Sequence, residues 1–141
     1  MTLHLTIQLA ADILAHAFTE HPFEAGGILP GRDGVPDRHV PMRNVSDKPT
    51  RRFAVDADRQ LDLELAWDAD GERPVVVWHS HTASEAQPSA TDRAAFHDPN
   101  IHYLIVTTAA HPQHPDRLRS WRLVDGELIE EVVVVAGEVA A

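Results

Sequence analysis

Val75-Val76-Val77-Trp78-His79-Ser80-His81-Thr82 runs an unbroken apolar segment straight into a His-x-His pair, and after six further residues the chain reads Ser89-Ala90-Thr91-Asp92. An uninterrupted apolar run of this length, Val75 to Trp78, predicts a central strand buried on both faces. Side chains two apart on a strand point to the same side. His79 and His81, at or just past the strand's end, can therefore aim at one spot. Neutral imidazole is a ready zinc ligand, and a catalytic zinc takes three protein ligands and leaves one position for water. The pattern asks for a third ligand and a base.

Ser89-x-x-Asp92 can be read in two ways. Serine at an N-cap with an acidic residue at N3 is a capping box. Asp92 also stands one turn into that helix, where it can face the two histidines as the third metal ligand. Both readings need a helix that starts at Ser89 and ends near Phe96. They compete for the aspartate side chain, and the nearby His-x-His favours the ligand. The candidate base is Glu24, at the start of a predicted strand Glu24–Leu29. The paired Gly26-Gly27 there signal a bulge or the close approach of another backbone. The plain alternative for Glu24 is a solvated strand-start residue. His4, His16, His21, His39, His97, His102, His111 and His114 lack a partner at ligand spacing and read as surface or half-buried residues. The helical metalloprotease pattern H-E-x-x-H is absent.

Working outward, Leu3–Ile7 alternates as a first strand. Leu9, Ile13, Leu14, Ala17 and Phe18 form one helical stripe that Pro22 ends. Pro30 to Gly34 is a turn cluster, and His39–Met42 a returning strand. Asn44 to Arg51 is a polar loop, with Phe53–Val55 extended beyond it. Asp56 or Asp58 caps a second helix, with Leu61 and Leu65 on one face and Asp70-Gly71 closing it. Ile101–Val106 is another apolar strand. Leu118–Val124 and Glu127–Val135 form a hairpin around Asp125-Gly126. The final residues are expected to fray. The order predicts an α/β or α+β fold, with a mixed central sheet flanked by helices.

A length of 141 residues fits one domain spanning 1–141. The formal charge of −10 argues against nucleic acid and against an anionic membrane surface, both of which reward lysine and arginine. Absence of cysteine excludes disulfides, thiolate metal ligands and a cysteine nucleophile. No apolar run is long enough to span a bilayer, and no signal-peptide pattern opens the chain, so a cytoplasmic protein is expected.

Glu24, then His79-Ser80-His81-Thr82, six residues, and Ser89-Ala90-Thr91-Asp92 resemble the JAMM metalloproteases of the MPN superfamily, whose pattern is a glutamate followed by H-x-H-[PT]-x6-S-x-x-D. The likeness extends through Pro22-Phe23-Glu24-Ala25-Gly26-Gly27, although many relatives carry cysteine where Gly26 stands. It implies a cytidine-deaminase-like fold and one zinc per chain held by His79, His81 and Asp92. It further implies Glu24 as general base and acid, and Ser89 as hydrogen-bond donor to the developing oxyanion. The deaminases themselves need cysteine ligands and H-x-E, so that activity is excluded.

His39–Asn44, His79–Ser89 and Arg119–Gly126 look like the stand-alone bacterial enzymes that release cysteine from a sulfur-carrier protein. That likeness implies hydrolysis of the amide after the C-terminal Gly-Gly of a ubiquitin-like carrier, in cysteine biosynthesis. A broader isopeptidase that removes ubiquitin-like modifiers is the alternative. A non-catalytic MPN scaffold is the alternative of another class, but such scaffolds usually lack some of the five site residues present here.

Overall fold

A computed structural model describes residues 1–137. The elements are β1 (Thr2–Leu5), α1 (Ile7–Glu20), β2 (Gly26–Arg32), β3 (Val35–Pro36), β4 (Val40–Met42), α2 (Ala57–Ala69), β5 (Arg73–His81), α3 (Ala90–Ala95), β6 (His102–Thr107), β7 (Leu118–Val124) and β8 (Glu127–Val135). The eight strands make one sheet in the order β1-β8-β7-β6-β5-β2-β3, with β4 also paired to β2. β5 runs parallel to β6 and antiparallel to β2. The mixed sheet with flanking helices expected from the sequence is therefore present. The expectation of a frayed C-terminus falls mainly on residues 138–141, outside the described residues. No helix among the described residues is long and apolar enough to cross a membrane.

Alternation along β5 divides the molecule. Val76 and Trp78 face α1 and pack with Leu3, Leu5, Leu9, Ile13, Leu104 and Val106. Val77 faces the other side and packs with Ile28, Met42 and Trp67 of α2. The two histidines continue the Val77 face. They lie inside the strand rather than beyond it, since β5 extends to His81 through pairing with Thr107 of β6.

Several local expectations are corrected. α1 begins at Ile7, because the Thr6 side chain accepts the Leu9 N–H and caps the helix. Phe18, read into the buried stripe, is half-exposed beneath the Arg117 guanidinium. α2 is capped by Asp56, but Leu61 and Leu65 face outward; Trp67 and the half-buried Leu63 seat the helix. Pro30 and Gly31 belong to β2, and the turn is confined to Asp33-Gly34. That pair and Asp125-Gly126 both have positive φ at both positions and close two-residue hairpins, Arg32 opposite Val35 and Val124 opposite Glu127. Phe53–Val55 forms no strand: the Ala54 carbonyl accepts the Val45 N–H, and the Ala54 N–H donates to Asn44 Oδ1.

The glycine pair marks close approach, as expected. A Cβ on Gly26 would run into the Phe53 ring and lie 2.7 Å from the Trp78 carbonyl oxygen. The bulge comes later in the strand, between Leu29 and Pro30.

Trp78 is fully buried and donates its indole N–H to His39 Nε2 at 3.0 Å. Indole only donates, so this ring must be neutral with its lone pair on Nε2. Burial pushes the His39 pKa down from the ordinary 6.5 to about 4; His16 adds to the fall and Asp12 opposes it. The unfolded chain thus takes up this proton at higher pH than the native one. Stability is lost as pH falls from 6.5 towards 4. His39→Gln keeps an acceptor without titrating. Thermal melts should show wild type losing about 1–2 kcal/mol more than this variant across that window, after allowance for solvent screening.

Candidate metal centre

β5 delivers His79 and His81 to one face, and their Nε2 atoms lie 3.2 Å apart. The His81 Nδ1 is 2.8 Å from the Glu85 carbonyl oxygen. A carbonyl can only accept, so Nδ1 carries the proton and Nε2 presents its lone pair to the site. α3 delivers Asp92, whose Oδ1 is 3.1 Å from His79 Nε2 and whose Oδ2 is 3.1 Å from His81 Nε2. The three candidate ligand atoms lie within 4.8 Å of one another. Bonds of about 2.0–2.1 Å in a tetrahedral site give ligand-to-ligand edges of about 3.3–3.4 Å. Two neutral imidazoles, one carboxylate and these spacings fit a divalent metal ion.

The capping and ligand readings of Asp92 do not compete after all. Ser89 Oγ accepts the Asp92 N–H at 3.1 Å, and Asp92 Oδ2 accepts the Ser89 N–H at 2.9 Å. The same carboxylate meets both histidines because each oxygen can accept from more than one direction. Burial opposes its ionisation, but the adjoining His79 and His81 rings and the Ser89 N–H outweigh that and hold it far below the usual carboxylate range. His81 is raised: burial opposes its protonation, and Asp92 and the Glu85 carbonyl overcome it.

Glu24 precedes β2 instead of starting it. Its N–H donates to Pro49 O at 2.7 Å, and its carbonyl accepts from Asn44 Nδ2 at 2.9 Å. Those bonds go to the loop beyond β4, so the sheet ladder starts two residues later. The register still places Glu24 usefully. Gly26 pairs with His79, so it shares that face, and Glu24, two residues before it, lines the same cleft as the histidines. Glu24 is only 8% exposed and lines one cleft of about 980 Å³ with His79, His81, Ser89 and Asp92. Burial raises its pKa, while His79 and His81 pull it down.

Two residues important to this geometry carry no signal in the sequence. Ser80, which reads only as the spacer between the histidines, is fully buried on the opposite face. Its Oγ accepts the Ala25 N–H at 2.8 Å, and its N–H donates to Ala25 O at 2.8 Å. It therefore ties the Glu24 segment to β5. Ser80→Ala strands a buried N–H and should cost about 1–3 kcal/mol in urea unfolding, with a fall in turnover as Glu24 loosens. Asn44 sits in a loop that reads as merely polar, yet its side chain bonds Glu24 O and Arg52 O, both at 2.9 Å. The segment after His81 is also pinned: Thr107 Oγ1 donates to Ser84 O, and the Glu85 carboxylate accepts from the backbone of Gln113 and His114.

The sequence pattern of Prok-JAB, prokaryotic homologs of the JAB domain, matches residues 6–124. CysO-cysteine peptidase of Mycobacterium tuberculosis (strain ATCC 25618 / H37Rv) is 43% identical over 129 residues, which cover 90% of this chain and 86% of that protein. Desampylase of Haloferax volcanii is 34% identical over 110 residues, covering 70% and 78% respectively. The solution structure of protein DSY2949 from Desulfitobacterium hafniense shares the fold with a TM-score of 0.79 at 33% identity, covering 98% of this chain and 94% of that one. With the family pattern spanning most of the chain and a His-His-Asp triad built at its centre, the protein belongs to the Prok-JAB family and is a JAMM-type hydrolase.

Proposed function

We propose that this chain is a zinc-dependent peptidase that hydrolyses the amide after the C-terminal Gly-Gly of a ubiquitin-like sulfur-carrier protein and releases cysteine. The observation that carries the hydrolytic part is the convergence of His79, His81 and Asp92 with the buried Glu24 in one cleft. The likeness to CysO-cysteine peptidase supports the choice of substrate. In this reading residues 1–141 act as one catalytic domain.

His79, His81 and Asp92 would hold one zinc. Bound there, the ion would act as a Lewis acid towards the scissile carbonyl and acidify a water. Glu24 takes a proton from the attacking water as the carbon–oxygen bond forms. It then gives that proton to the amide nitrogen as the carbon–nitrogen bond breaks, so that a carboxylate and an amine leave. Ser89 Oγ accepts from Asp92 N and keeps its own proton to donate to the developing oxyanion.

The test is mass spectrometry of CysO carrying one added C-terminal cysteine, incubated with the zinc-loaded protein with and without chelator. Loss of one cysteine residue that chelator abolishes is the expected result; an unchanged mass overturns the reading. The likeness to desampylase favours a second reading, an isopeptidase acting on protein conjugates. A lysine-linked conjugate in the same assay separates the two.

A further inference from the structure

We propose that Arg52 is a specificity-determining residue that binds the terminal carboxylate of the amino acid to be released, which makes the site one for removing a single C-terminal residue. The inference rests on the hydrolytic function proposed above and deepens it.

Cationic side chains are scarce in this chain, 12 lysines and arginines against 22 aspartates and glutamates. Yet Lys48, Arg51 and Arg52 line the same cleft as Glu24 and the triad. Arg52 is held with care. Asn44 Nδ2 bonds both Arg52 O and Glu24 O at 2.9 Å, so one side chain sets the base and the arginine in a common frame. At its other end Arg52 Nη1 donates to Thr91 Oγ1 at 2.8 Å, next to the ligand Asp92. The guanidinium therefore reaches from the loop to the start of α3, at the rim of the metal centre.

Its partners differ from those of the two ion-paired arginines among the described residues. Arg38 is matched by Glu72 and Arg119 by Glu130 at 2.8 Å. Arg52 has no carboxylate within ion-pair distance among the described residues, and its one side-chain partner is a neutral hydroxyl. A guanidinium offers five donors in a fork that fits a carboxylate. Most of that fork remains available.

The substrate's chemistry says what anion would meet it. A Gly-Gly tail is uncharged. When the leaving group is a single amino acid, its carboxylate carbon is two bonds from the scissile nitrogen and must lie within a few ångströms of the metal centre. When the leaving group is a lysine side chain, no such carboxylate exists. A cation fixed beside the ligand Asp92 thus distinguishes the two kinds of conjugate.

The experiment compares CysO bearing one C-terminal cysteine as the free acid with the same protein as its carboxamide. The zinc-loaded wild type should favour the acid by about 10- to 100-fold in kcat/KM, mainly through KM, the range expected for a charge-assisted hydrogen-bond pair. Arg52→Gln should bring the acid-to-amide ratio close to one, and Arg52→Lys should recover part of it. Calorimetric binding of both forms to metal-free protein should show the same preference and the same loss. Equal handling of acid and amide by wild type overturns the inference and leaves the hydrolytic function standing, with Arg52 a brace for Thr91. An unchanged ratio in Arg52→Gln overturns it likewise. Should Arg52→Gln fail to fold, the wild-type ratio and Arg52→Lys decide. Cleavage of neither form overturns the hydrolytic function and this inference together.

Discussion

Glu24→Gln is expected to keep the metal and lose hydrolysis by about 10²- to 10⁴-fold in kcat, the range over which a positioned general base contributes. Glutamine has nearly the shape of glutamate, so the bonds of its backbone to Pro49 and Asn44 survive. What it lacks is a site for the proton. Glu24 is outside the triad, so metal content should match wild type by elemental analysis. Its carboxyl is buried and raised, with two imidazoles opposing that rise, and this environment suits a group that must both take and return a proton. Turnover within a few-fold of wild type would remove Glu24 from the reaction.

Asp92→Asn separates two jobs held by one carboxylate. The asparagine carbonyl can still accept the Ser89 N–H, so the helix cap should lose less than about 1 kcal/mol. The amide cannot supply an anionic ligand between His79 and His81. Metal affinity should fall by more than about 100-fold, beyond the loss that follows removal of an outer partner of a ligand, and activity should fall with it. Competition with a chromophoric chelator measures the affinity, and urea unfolding of metal-free protein measures the cap. Full metal occupancy in this variant would return Asp92 to a capping role alone.

Much of this site was legible along the chain because its parts are local. His79 and His81 share a face through strand alternation, and Ser89 sets the helix that aims Asp92. Asp125-Gly126 was legible as a hairpin for a similar reason, two residues with positive φ between apolar runs. Asp33-Gly34 does the same work but was masked by Pro30 and Gly31, which read as turn residues and are strand. The pair Leu61 and Leu65 was misleading because periodicity gives a face but not the side on which the sheet lies; Trp67 and Leu63 decided that.

The position of Glu24 was beyond any local pattern. It depends on a bond between Ala25 and Ser80, 55 residues apart, and on Asn44, which anchors Glu24 and Arg52 from a third segment. The candidate ligands, the candidate base and the fold class can all be read along the chain, because spacing and side-chain chemistry are written there in order. That Glu24 reaches the triad's face, that Asp92 caps and faces the histidines at once, and that Arg52 stands beside them emerges with folding. Those outcomes depend on strand register and loop anchoring, which arise from contacts between residues distant in the chain.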